Sequence, residues 1–102
     1  MASALDIVIE RLVIEDDRPT HIARHTITID EVLEVLIGDY IVGDGKHGRH
    51  IVIGKTQQLR FIAVVLGERE TLGTYGLITA RPARRSERKA YAQIFRGGDE
   101  HD

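Results

Sequence analysis

YIVGDGKHGRHIVIGKTQQLRFIAVVLGERETLGTYGLITARP, residues 40–82, decides the architecture. Short runs rich in valine and isoleucine alternate with stretches containing glycine, aspartate and lysine, the pattern of an antiparallel meander. Strands are predicted over Tyr40–Val42, Arg49–Lys55, Arg60–Gly67 and Thr74–Arg81. Their connections are Gly43–Gly48, Thr56–Leu59 and Glu68–Gly73, each made of turn-forming residues. Gly43-x-Gly45-x-x-Gly48 has the spacing of a dinucleotide-binding loop, but it joins two strands instead of leading into a helix, so it reads as a hairpin loop. Pro82 cannot sit in a central strand, and the sheet is predicted to end at Arg81.

Outward from the meander, helices are expected on both sides. A final helix starts near Ala83, with Ala90, Tyr91, Ile94 and Phe95 as its apolar stripe. Upstream, Thr28-Ile29-Asp30-Glu31 has the form of a capping box, in which the threonine oxygen accepts from the third helical amide and the glutamate reaches back to the cap. Ile29, Val32, Leu33 and Leu36 then give one apolar face, and Gly38 is placed to end the helix in a left-handed conformation. Asp16-Asp17-Arg18-Pro19 reads as the start of a shorter helix through Thr20–His25. Residues 4–16, ALDIVIERLVIED, satisfy a helical and an extended period at once; their β-branched content favours a strand over roughly 7–14. The chain is thus an α+β domain, residues 1–96, with a mainly antiparallel sheet of three to five strands, two N-terminal helices and one C-terminal helix. The acidic tail 97–102 is expected to be disordered.

Composition limits the chemistry. With 102 residues and 42% apolar content there is material for one domain and one core. The absence of cysteine excludes disulfides and four-cysteine zinc sites, and points to the cytoplasm. The longest apolar run, Phe61–Leu66, is too short to span a membrane. The net charge of −2 conceals a division. Residues 1–45 hold ten acids and three bases, whereas 46–96 hold eleven bases and three acids, a net of +8. Such a basic half is a footprint for a polyanion, unless the two halves meet in the fold and cancel.

Three stretches occur in a fixed order: Ile22-Ala23-Arg24-His25 ahead of the capped helix with Glu31-Val32; Arg49-His50-Ile51-Val52-Ile53-Gly54-Lys55-Thr56; and Ile78-Thr79-Ala80-Arg81-Pro82-Ala83 followed by Glu87-Arg88-Lys89-Ala90-Tyr91. Together they resemble the BrnT-type toxins of bacterial type II toxin–antitoxin modules, over about residues 18–95. The family's Phe-x-Trp-Asp segment is absent here, where Val13-Ile14-Glu15-Asp16 is the nearest equivalent, and its Lys-His-Gly turn reads Arg24-His25-Thr26. The resemblance implies a RelE-like fold, metal-independent ribonuclease activity with no cofactor, and neutralisation by a DNA-binding antitoxin. The alternative is a catalytically inactive relative that binds RNA or protein.

A ribonuclease that works by transesterification needs a base at the ribose 2′-hydroxyl, a cation for the phosphorane and an acid for the leaving oxygen. His25, beside Arg24, matches the family's basic turn and is a candidate for proton transfer, although a histidine ending a helix also complements the dipole. Arg81, at a strand end before proline, is the candidate phosphate clamp, and Glu87 completes the catalytic set. Arg49, Arg60, Arg88 and Tyr91 join Arg24 as candidate RNA contacts. Glu87 and Tyr91 also have a structural reading, in which the glutamate pairs with an arginine and the tyrosine packs on the sheet. His21 and His25, four apart, could share a metal with His47 or His50, but no acidic ligand accompanies them at a characteristic spacing.

Overall fold

The computed structural model describes residues 3–4 and 7–96. Its elements are β1 (Ser3–Ala4), β2 (Arg11–Val13), α1 (Arg18–Ala23), α2 (Ile29–Ile37), β3 (Tyr40–Asp44), β4 (His50–Lys55), β5 (Phe61–Glu68), β6 (Thr74–Pro82) and α3 (Arg85–Arg96). The acidic tail expected at 97–102 lies outside the described residues. The meander forms with β3, β4, β5 and β6 in successive antiparallel pairs, and β6 runs one residue past its predicted end, to Pro82, which pairs with Ile62 beyond the stretch that β2 covers.

The sheet is larger than expected. It has six strands in the order β1-β3-β4-β5-β6-β2, because β1 adds antiparallel to β3 and β2 adds parallel to β6. The strand predicted over 7–14 shrinks to Arg11–Val13. Residues Ile7, Ile9, Leu12 and Ile14 still pack on the core, which is why both periods fitted that stretch. Two- and three-residue edge strands leave little unpaired backbone for another chain to extend.

Alternation along the strands builds two apolar layers. On one face Tyr40, Val42, Val52, Ile62, Val64, Leu66, Leu77 and Ala80 meet Ile22 of α1, Ile27, and Val32 and Val35 of α2. On the other, Ile41, Ile53 and Ala63 meet Ala83 and Tyr91, with Phe61, Ala90 and Phe95 at the margin. Helices α1 and α2 therefore cover one face, and α3 covers part of the other.

The helices differ from expectation in detail. The capping box is complete: Thr28 Oγ1 accepts from Glu31 N–H at 3.2 Å and Glu31 Oε1 accepts from Thr28 N–H at 3.0 Å. Val35 takes the core position assigned to Leu33, which is 41% exposed, since Val32, Val35 and Leu36 lie closer to the line of contact. Gly38 is extended, φ −97°, and the chain passes straight into β3 without a left-handed cap. Helix α1 starts two residues early, at Arg18, with Pro19 in its first turn as the sequence suggested, and it ends at Ala23. Thr26, at φ 61°, reverses the chain toward α2. In α3, Ile94 is 39% exposed, so the buried stripe is Tyr91 with Ala90 and Phe95. A Cβ on Gly54 would lie 3.0 Å from Val35 Cγ1 and 3.1 Å from the Asp39 carbonyl oxygen, so glycine there permits α2 to seat against β4.

Strand β6 carries one extra residue. Val65 pairs with Thr79 but Leu66 pairs with Leu77, which leaves Ile78 as a bulge. Its carbonyl accepts from Arg18 Nη1 at 2.6 Å, so the first helix braces the irregularity.

Candidate nucleic-acid interface

Arg81 is the next-to-last residue of β6, opposite Ala63 on the α3 face. Its guanidinium forms a two-pronged pair with Glu87, Nη1 to Oε1 and Nη2 to Oε2, both at 2.8 Å. The two side chains are 19% and 14% exposed. Glu87 Oε1 also accepts from the Arg84 N–H at 2.7 Å, so the same carboxylate closes the start of α3. The Arg81 hydrogen bonds hold the Glu87 carboxyl below its ordinary pKa against the opposing effect of burial, and the guanidinium is pushed up in turn by Glu87. Arg81 and Glu87, expected as catalytic residues, are thus joined to each other as a fastening between strand and helix.

Tyr91 is 6% exposed and packs edge-on to Phe61, centroids 5.3 Å apart. Burial, and then the charge of Asp39, push its phenol above the ordinary value, and the hydroxyl donates to the Asp39 carbonyl at 3.4 Å. Its position is that of a core residue. Arg88 donates one bond to the Ala83 carbonyl at 3.0 Å and is otherwise exposed. Exposed Arg84, Arg85 and Lys89 on and beside α3, and Arg49 before β4, make no ion pair among the described residues.

Arg60 departs from its expected role. Its guanidinium donates to the Thr26 carbonyl at 2.6 Å and to Thr26 Oγ1 at 2.7 Å, and pairs with Glu31 at 3.2 Å. It ties the α1–α2 turn to β5 on the face opposite α3, so it does not extend a phosphate surface with Arg49. His25 and Arg24 are exposed at the end of α1. They belong to the α1–α2 layer, whereas Arg81 and Glu87 belong to the α3 layer, and the sheet lies between them. The candidates therefore do not meet around one phosphodiester.

His21 and His25 approach edge-to-face, ring centroids 6.5 Å apart, but among the described residues no group of three His, Asp or Glu converges to hold a metal. His50 has a different partner, Glu68, whose Oε2 lies 3.1 Å from Nε2, and its ring stands edge-on to Tyr75 at 5.7 Å. The sequence reading did not find this pair. Once β4 and β5 are aligned so that His50 faces Leu66, Glu68 is the next residue on the same face, and that alignment was the missing signal.

No helix of the described residues is long and apolar enough to cross a membrane. The sequence matches no family model and no curated protein.

Proposed function

We propose that the chain is a toxin-like, RelE-type domain of a bacterial type II toxin–antitoxin module, located in the cytoplasm, that binds RNA through the basic surface around α3. The observation that supports this reading is the set of exposed cations Arg84, Arg85, Arg88 and Lys89, with Glu87, the acid among them, already engaged by Arg81. Such a surface attracts phosphates whatever the total charge of the molecule. A cognate DNA-binding antitoxin would present acids to the same surface and compete with RNA.

A ribonuclease form of this reading has one observation in its favour. His50 has a carboxylate orienting its ring, the arrangement of a general base held by a third group. Metal-independent transesterification would then use His50 on RNA that reaches round from α3 to the α1–α2 face, where His50 lies with Leu66 and Tyr75 and where His25 is exposed.

The deciding experiment is RNA binding by the intact protein at rising salt. Affinity should fall linearly on a log–log plot, with a slope of about −0.7 per phosphate contact on a single strand. Replacing Arg84, Arg85 and Lys89 together with alanine should reduce that slope by about 2 on the same scale. Undetectable binding at low ionic strength refutes the reading. Cleavage abolished by His50→Ala with binding retained identifies the enzyme; no cleavage by the parent protein leaves a binding module.

A further inference from the structure

A cleft of about 400 Å³ opens between the C-terminal half of α3 and the adjoining ends of β4 and β5, lined by Asp39, Lys55, Leu59, Phe61, Tyr91 and Phe95. Lys55 Nζ stands 5.9 Å from the Phe61 ring centre and 5.8 Å from that of Tyr91, and makes no ion pair among the described residues. Tyr91 and Phe95 lie with centroids 4.6 Å apart, tilted by 43°. Leu59, at φ 66° and 70% exposed, is held out at the rim. Two partly exposed rings, Phe61 and Phe95, backed by buried Tyr91, with an apolar rim, one free cation and one carboxylate, are the ingredients of a small-ligand site.

The contents select the ligand. A bare anion would meet Lys55 but also the Asp39 carboxylate, which disfavours it. A purely apolar group would leave both charges without partners. A nucleobase with its adjoining phosphate fits both: its π-face stacks on aromatic rings, its amino edge donates to a carboxylate, and the phosphate meets the ammonium. The cleft is on the α3 side of the sheet, the side of the unpaired cations.

We propose that this cleft takes one unstacked base of single-stranded RNA, with Lys55 holding the neighbouring phosphate. The inference rests on the RNA reading and gives it a specific subsite. Loss of backbone contacts at α3 and loss of stacking in the cleft are separable by experiment.

The full chain is titrated with an eight-nucleotide adenosine RNA and with an abasic ribose–phosphate strand of the same length, following tyrosine fluorescence. One stacked base should make the adenosine strand bind roughly 5- to 150-fold more tightly. Phe95→Ala should remove most of that difference without changing the abasic affinity. Because Phe95 also packs on Tyr91, Leu59→Asn at the exposed rim, which adds no charge and tolerates the positive φ, provides a second variant that leaves the core intact, and it should weaken the adenosine strand selectively. Equal affinities for the two strands, with salt-sensitive binding retained, overturn the cleft and leave the basic surface standing. If neither strand binds, the RNA reading fails. Titration with 5′-AMP then decides the cleft by itself, since shifted Ala92 and Phe95 amide resonances support a base site and unshifted ones overturn it.

Discussion

Arg81→Ala separates a fastening role from a phosphate-binding one. The substitution removes two charge-assisted bonds of 2.8 Å and leaves Glu87 partly buried with only the Arg84 amide as a partner. A hydrogen bond to a charged group contributes about 1.5–3 kcal/mol, and the two prongs of one rigid fork count as one interaction more nearly than as two. The residual exposure of 19% and 14% places the loss below the range for fully buried pairs. A destabilisation of about 2 kcal/mol follows, which in a domain of this size lowers the melting temperature by roughly 8–16 °C. Glu87→Gln keeps an oxygen for the Arg84 amide but loses the charge, so it should cost less. Combining the two changes should cost less than the sum by about 1–2 kcal/mol, the mark of a direct contact. Thermal unfolding followed by circular dichroism gives all three values, and RNA affinity is measured on the same samples. A melting temperature within about 2 °C of the parent, together with a tenfold loss of RNA affinity, would remove the fastening role and return Arg81 to the phosphate.

Acid unfolding tests the same pair by its sign. Glu87 titrates below its ordinary value of 4.5 in the folded chain, so its contribution is present above that value and is lost as the pH falls through the depressed one; Glu87→Gln should therefore flatten part of the acid limb below about pH 4.5 in urea titrations and leave the neutral plateau flat. Gly54→Ala should destabilise the domain by about 1–3 kcal/mol, because the new methyl would lie 3.0 Å from Val35 Cγ1 and 3.1 Å from the Asp39 carbonyl oxygen; chemical denaturation checks this, and a midpoint equal to the parent's would mean that α2 can lift from β4 freely.

Much of the fold was legible because local signals and core periods agreed. The four strands of the meander were bounded by turn residues, and the Thr28–Glu31 box fixed one helix start to the residue. The failures occur where local rules are silent. Residues 7–14 carry apolar side chains that reach the core from irregular backbone, so no single period describes them. The parallel pairing of β2 with β6 joins segments some sixty residues apart, and nothing in either segment names the other. Gly38 permitted a left-handed cap but the next strand follows too closely to use it.

The candidate site was less legible than the fold, and the bulge at Ile78 explains much of the difference. Counting by two from Leu77, which faces the α1–α2 layer, would put Thr79 and then Arg81 on that same face, the layer that carries His25. The extra residue reverses the count: Ala80 takes the place beside Leu77, and Arg81 moves to the α3 face, where Glu87 meets it. A one-residue shift in a strand exchanges every side chain beyond it between faces. The motif Arg81-Pro82 through Glu87 is therefore legible as a sequence pattern, while its partner is set by a bulge braced from Arg18, on an element far upstream. What the pattern does keep on one side is the cation-rich start of α3, where Arg84, Arg85 and Lys89 are exposed and make no ion pair among the described residues, so the proposed hold on phosphate is tested there by its dependence on salt.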